Sequence, residues 1–159
     1  LDMVLKYLAT SEWLKIPAVA IYYHSYLALK NSNAVAHFSI VKGLIKEHNA
    51  LFPKDELKNI FLLSINYCIR QINSGNQNFE KELLDLYKNG LETGVFIENG
   101  ILSRWTYKNV VSIGLGLKEF DWIENFIHDY KNYIDKRHRE NTFKYNLAKL
   151  NYQKKLMIR

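Results

Sequence analysis

One cysteine, two prolines and seven glycines are spread over 159 residues, so the chain is poor in the residue types that staple or break a backbone. A lone thiol, Cys68 within IFLLSINYCI, excludes a disulfide framework and reads as a reduced, cytoplasmic setting. Scarce proline and glycine leave room for long helices. Long apolar runs are also missing: Ile60 to Ile65 already contains Ser64 and is followed by Asn66 and Arg70, far below the roughly 20 residues a bilayer requires. The opening residues show no leader pattern, and no membrane partner is expected. A start at Leu1 instead of Met, and an end in KKLMIR where a repeat should be passing to its second helix, read as a piece of a longer protein.

Catalytic signatures are equally sparse. The five histidines stand at 24, 37, 48, 128 and 138 without HExxH, and CxxC is absent, so no zinc set, other metal site or cofactor is expected. Glu124 and His128 are one residue too far apart for the ExxH of di-iron bundles and read as an exposed i, i+4 pair. Gly114-Leu115-Gly116 lacks the third glycine and the preceding strand of a dinucleotide turn. Neither an enzyme nor a small-molecule substrate is expected.

What the chain does have is apolar and aromatic surface: 48% hydrophobic residues, with eleven Tyr, eight Phe and three Trp. That is ample for one domain over residues 1–159. It also has repetition. LLDLYKNGL at 83–91 returns as FIHDYKNYI at 126–134, an offset of 43 residues. With the same offset and no gap, Asn66 falls on Asn109, Ile72 on Leu115 and Phe79 on Trp122. A third partial copy starts at Asn146, 37 residues after Asn109. Repeats of this length belong to stacked two-helix units, because one helical hairpin cannot bury its own apolar face.

Periodicity supplies the helices. Phe120, Ile123, Ile127, Tyr130 and Ile134 recur at spacings of three and four, which predicts a helix over 119–134. Further helices are predicted over 17–30, with Pro17 in the first turn, and over 33–48, 57–72 and 79–91. Asn31-Ser32-Asn33, Phe52-Pro53, Asn73 to Asn76, Gly94 and Asn99-Gly100 mark the breaks, and no alternating strand pattern lies between them. The expected fold is all-α, with seven to eight helices in consecutive antiparallel hairpins. Phe79, Leu83, Tyr87, Trp122, Phe126 and Tyr130 are the expected core aromatics and aliphatics. The Tyr-Lys-Asn stretches are expected to close second helices, where a cation suits the backbone dipole.

Over roughly residues 60–159 the chain resembles the tetratricopeptide (TPR) family, most closely in IGLGLKEFDWIENFIHDY and NLAKLNYQKK. It departs from that pattern at Lys118, where a turn glycine is usual, and at Ile123, where alanine is usual. The resemblance implies a right-handed α-solenoid, a TPR-like superhelix, serving as a protein-interaction scaffold without a cofactor. It further implies that the first helix of each unit lines a concave face. That places Trp105, Lys108, Asn109 and Ser112 in one stripe, with Thr142, Tyr145, Asn146 and Lys149 at the equivalent positions of the next unit. Aromatics, amides and ammonium groups at helical spacing suit an extended peptide carrying an acidic group. The other reading of the repeated Asn positions is that they satisfy polar groups between hairpins. Residues 1–55 are carried by the helical pattern alone.

Charge suggests an alternative partner. Residues 1–127 hold thirteen basic and thirteen acidic side chains, and residues 128–159 hold nine and three, so the whole net charge of +6 lies at the C-terminal end. Lys136, Arg137, Arg139 and Lys144, with Phe143, Tyr145 and Tyr152 interleaved, form a basic patch of the kind that contacts phosphates while stacking bases. Nucleic acid is therefore the alternative to a protein or peptide partner.

Overall fold

The computed structural model describes residues 2–31 and 34–157. Among these the chain is all-α apart from one two-residue hairpin. Its helices are α1 (Asp2–Ala9), α2 (Pro17–Lys30), α3 (Val35–His48), α4 (Lys54–Asn73), α5 (Phe79–Glu92), α6 (Arg104–Gly116), α7 (Phe120–Asp129) and α8 (Arg139–Met157). Short 3₁₀ turns lie at Glu12–Lys15, Asn49–Leu51 and Lys131–Tyr133. No described helix is long and apolar enough to cross a membrane. The chain divides into two compact units, residues 1–79 and 80–159.

In the first unit, α2 and α3 pack on each other and both pack on α4. Pro17 opens α2, where its fixed φ suits a first turn and its missing N–H is one the helix would leave unpaired anyway. Asn33, the expected start of the next helix, lies outside the described residues. Ile21, Phe38, Val41, Ile60, Phe61, Ile65, Tyr67 and Cys68 fill the core. The Phe38 and Tyr67 rings stack at 4.9 Å, and Phe79 meets both. Residues 57–72 are less enclosed than their composition predicts, since Leu62 and Ile69 remain exposed.

In the second unit, two contacts fix the sense of α6 against α7. Tyr107, early in α6, donates its hydroxyl proton to the carbonyl of Ile127 late in α7, at 2.8 Å. Gly114, late in α6, lies under Ile123 early in α7, so closely that a Cβ at 114 would sit 2.3 Å from Ile123 Cδ1. The two helices are therefore antiparallel, and the bulk of Ile123 is accommodated because residue 114 has no side chain. Lys118 stands in the turn between them with φ +62°, a left-handed conformation. The amide of Glu119 returns to the Gly114 carbonyl and that of Lys118 to Leu115, the hydrogen-bond pattern that closes a helix on a left-handed residue. A turn glycine's conformation is thus kept at a lysine.

Helix α8 runs back along α7. Lys154 pairs with Glu124 at 2.6 Å, Lys131 with Glu140 at 2.8 Å, and the His128 ring meets Phe143 edge-on. Against α6, by contrast, α8 is parallel: Lys149 donates to the hydroxyl of Ser112 at 3.0 Å, 37 residues away.

Several expectations need correction. Asn99-Gly100, read only as a break, is the turn of a β-hairpin pairing β1 (Ile97–Glu98) with β2 (Ile101–Leu102). Both turn residues have positive φ, +51° and +75°, as a two-residue turn matching strand twist demands. The helix predicted over 119–134 stops at Asp129 and tightens into the 3₁₀ turn. There Arg139 donates to the carbonyls of Asn132 (2.8 Å) and Ile134 (3.1 Å), groups the helix end leaves open. The first Tyr-Lys-Asn stretch therefore lies within α5 and the second lies where α7 ends. Phe79, Leu83, Tyr87 and Phe126 are buried as expected, whereas Trp122 and Tyr130 are half-buried. Trp122 lies stacked on Phe126, and the half-buried ammonium of Lys88 from α5 stands 4.5 Å over its ring and 3.8 Å from Glu119.

Candidate functional site

The parallel register of α6 and α8 creates a groove. It has a volume of about 440 Å³ and is lined by Arg104, Trp105 and Lys108 of α6 and by Asn141, Thr142, Tyr145 and Asn146 of α8. Arg104 and Asn141, Trp105 and Thr142, and Lys108 and Tyr145 are each 37 residues apart. The two walls thus carry residues at one common sequence offset.

The residues have different characters. Trp105 is 67% exposed and Tyr145 61%, two large aromatic surfaces that line the groove from its two helices. Lys108 Nζ lies 5.9 Å from the Trp105 ring centre, and Arg104 and Lys108 are both exposed. Asn146 is different, at 2% exposure. Its amide nitrogen donates to the Thr142 carbonyl at 2.8 Å, and its Oδ1 has no hydrogen-bond partner among the described residues.

Of the stripe read from the sequence, Trp105, Lys108, Thr142, Tyr145 and Asn146 meet in this groove. Ser112 and Lys149 join one another further along the same pair of helices. Asn109 is exposed and outside the groove, as is Asn66 from the groove's unit altogether, so the three repeated asparagines are not equivalent: only Asn146 is buried. Arg104 and Asn141 were missed by sequence reasoning. Both precede the matched aromatic and threonine by one residue, and the 37-residue offset that links Asn109 to Asn146 also links them.

The basic patch is differently disposed. Arg137 makes a two-pronged pair with Asp135 (3.1 and 3.2 Å), and that hydrogen-bonded guanidinium draws the Asp135 carboxyl down to about 2. Arg139 is spent on carbonyls, Lys131 on Glu140 and Lys154 on Glu124. Lys136 and Lys144 are exposed. Glu124, paired with Lys154 in place of His128, is held below the usual carboxylate range by that ammonium.

Among the described residues no three or more metal-ligating side chains come together. His24 and His37 do meet in the first unit, Nδ1 to Nδ1 at 2.7 Å across α2 and α3. A hydrogen bond of that kind needs one ring to donate and the other to accept. No protein-family model, curated protein or solved structure matches the chain.

Proposed function

We propose that this chain is a non-catalytic, cytoplasmic protein–protein interaction scaffold, a right-handed α-solenoid of TPR-like hairpins that holds a peptide segment of its partner in the α6/α8 groove. The observation that carries this reading is the exposure of Trp105 and Tyr145 on opposite walls of one groove, Trp105 standing 37 residues before Thr142 of α8 and Tyr145 37 residues after Lys108 of α6. Rigid aromatics with one polar or charged neighbour are what interface hot spots are made of. The order of α6, α7 and α8, antiparallel and then parallel, also suits a first helix, a second helix and the first helix of the next unit.

Quantitative affinity capture with the wild-type chain and with a Trp105→Ala/Tyr145→Ala variant tests this. Both side chains are exposed, so the variant keeps its fold. Partners depleted with the variant support the reading, whereas identical capture makes the stripe a passive surface.

A further inference from the structure

Helix α1 is eight residues long and buries none of them. A helix of that length is marginal in water by itself, so what covers α1 decides whether it persists. Asp2 at its start pairs with Lys30 at the end of α2, at 2.8 Å, which lays α1 back along α2. That pair is exposed and adds little. Between the two helices runs an almost wholly apolar groove of about 430 Å³, walled by Val4, Leu5 and Leu8 of α1 and by Val19, Tyr22 and Tyr26 of α2.

The apolar surface does not stop at the groove. Met3 and Tyr7 stand one helical turn apart, with Val4 between them and the groove. Met3 is 84% exposed, Tyr7 62% and Val4 55%. With Tyr22 and the groove walls they leave open on the order of 600 Å² in each copy, about half of the ~1,200 Å² at which specific two-sided interfaces begin. A single exposed apolar side chain needs no account, whereas a patch of that size marks an interaction surface.

Charge narrows the occupant. Asp2 is paired with Lys30 and Glu12 with Lys15, which leaves Lys6 as the only excess formal charge in residues 2–30. Such a face offers little to an acidic or basic partner, and it lacks the cluster of cations that holds a protein on anionic lipid. Its match is another apolar, nearly neutral face with its own helical stripe. A second copy carries that face, and residues 1–127, with thirteen basic and thirteen acidic side chains, have no net charge to repel it.

We propose that two copies of this chain associate through α1, each laying its Met3, Val4 and Tyr7 stripe into the α1/α2 groove of the other. The same patch serves on both sides, so the contact closes as a two-fold dimer and leaves no face to propagate. Helices α1 and α2 of each copy then share one apolar seam, and α1 gains the cover that α2 alone does not give it. The contact uses the first unit and does not rest on the reading of the α6/α8 groove.

Sedimentation velocity of the full 159-residue chain at neutral pH tests this, from about 1 to about 300 µM, where a contact of this size dissociates. We expect the mass to rise from 18.8 kDa toward twice that value along the series. Met3→Glu plus Tyr7→Glu alters two exposed side chains and should weaken the dimer about a hundredfold or more, leaving a monomer throughout. Trp105→Ala/Tyr145→Ala should dimerise as the wild type does. In the wild type, amides of α1 should exchange with deuterium about tenfold more slowly at the high end of the series, and those of α6 at one rate throughout. A single 18.8 kDa species at every concentration overturns the proposal, as does a dimer that the Met3/Tyr7 variant keeps or that the aromatic variant loses. Should the Met3/Tyr7 variant fail to fold, exchange in the wild type decides alone: slowing in α1 as the mass doubles sustains the contact, and unchanged α1 rates overturn it. A monomer whose α1 is protected only by neutral phosphatidylcholine vesicles makes lipid the occupant and overturns self-association.

Discussion

Ser112 and Lys149, 37 residues apart, are joined by a 3.0 Å hydrogen bond that lies along the parallel seam of α6 and α8. The bond reports the register without creating it. Lys149 meets water and is free to find other acceptors, whereas Leu150, the next residue, is fully buried. Lys149→Ala is therefore expected to change stability by no more than about 0.5 kcal/mol, and Leu150→Ala to cost about 2–5 kcal/mol. Urea denaturation of the two variants checks the pair, and a large loss at Lys149 would show that the polar seam holds the helices together.

Gly75 and Lys118 end α4 and α6 with the same backbone device. Both are left-handed, at φ +97° and +62°, and in each case the following amide returns to the helix: Asn76 to Gln71 and Glu119 to Gly114. They are also 43 residues apart, the offset of the repeated stretches. A side chain in this conformation costs about 1–2 kcal/mol, partly offset by the larger unfolded-state entropy of glycine. Lys118→Gly should raise stability by about 0.5–1 kcal/mol, and Gly75→Ala should lower it by a similar amount, both measured as shifts in urea midpoint.

A methyl group at residue 114 would collide with Ile123, whereas one at Gly116 would meet nothing within 4 Å. Gly114→Ala is expected to cost about 1–3 kcal/mol by overpacking, despite alanine's better helix propensity. Gly116→Ala should be neutral or stabilising by up to about 1 kcal/mol. Adding Ile123→Ala to Gly114→Ala should cost less than Ile123→Ala does alone, because the two positions share one volume. Strict additivity in a double-mutant cycle would show that the helices separate instead of interlocking.

Burial pushes the Tyr107 phenol well above its ordinary value, and its hydroxyl donates to Ile127. A raised folded-state value means that the unfolded chain loses this proton first. The contribution is therefore complete below about pH 10 and fades as pH rises beyond it. Tyr107→Phe should cost about 1–2 kcal/mol at neutral pH by leaving the Ile127 carbonyl unpaired. The same variant should lose stability less steeply than wild type between about pH 10 and 12. Parallel pH profiles would place the alkaline loss elsewhere, among the half-buried tyrosines.

The all-α architecture was legible because apolar spacing and sparse breakers act locally, and the start of α2 at Pro17 and the end of α3 at His48 follow from such signals. The groove was legible in part because the 37-residue offset carries Lys108 onto Tyr145 as surely as it carries Asn109 onto Asn146. Other features depend on distant groups. Nothing in FIHDYKNYI says that α7 ends at Asp129, since the carbonyls beyond it are taken by Arg139 from the start of α8. The β-hairpin has only two residues in each strand, too few to alternate, although Asn-Gly is the usual signal of such a turn. The burial of Asn146 and the exposure of Asn109 follow from which helix covers each, a relation that composition does not carry.

The His24–His37 contact gives the two units different responses to acid. Two imidazoles 2.7 Å apart through their Nδ1 atoms share one proton comfortably and two badly, and burial, followed by the charge of His37, lowers the affinity of His24 for the second. Because the unfolded chain accepts that proton more readily, the pair's contribution is present above about pH 6.5 and drains away as the pH falls below it. In the second unit both histidines, His128 and His138, are exposed. Amide protons of α2 and α3 should therefore begin to exchange with solvent deuterium at mild acidity while those of α6 and α7 remain protected, so that the chain opens from its first half.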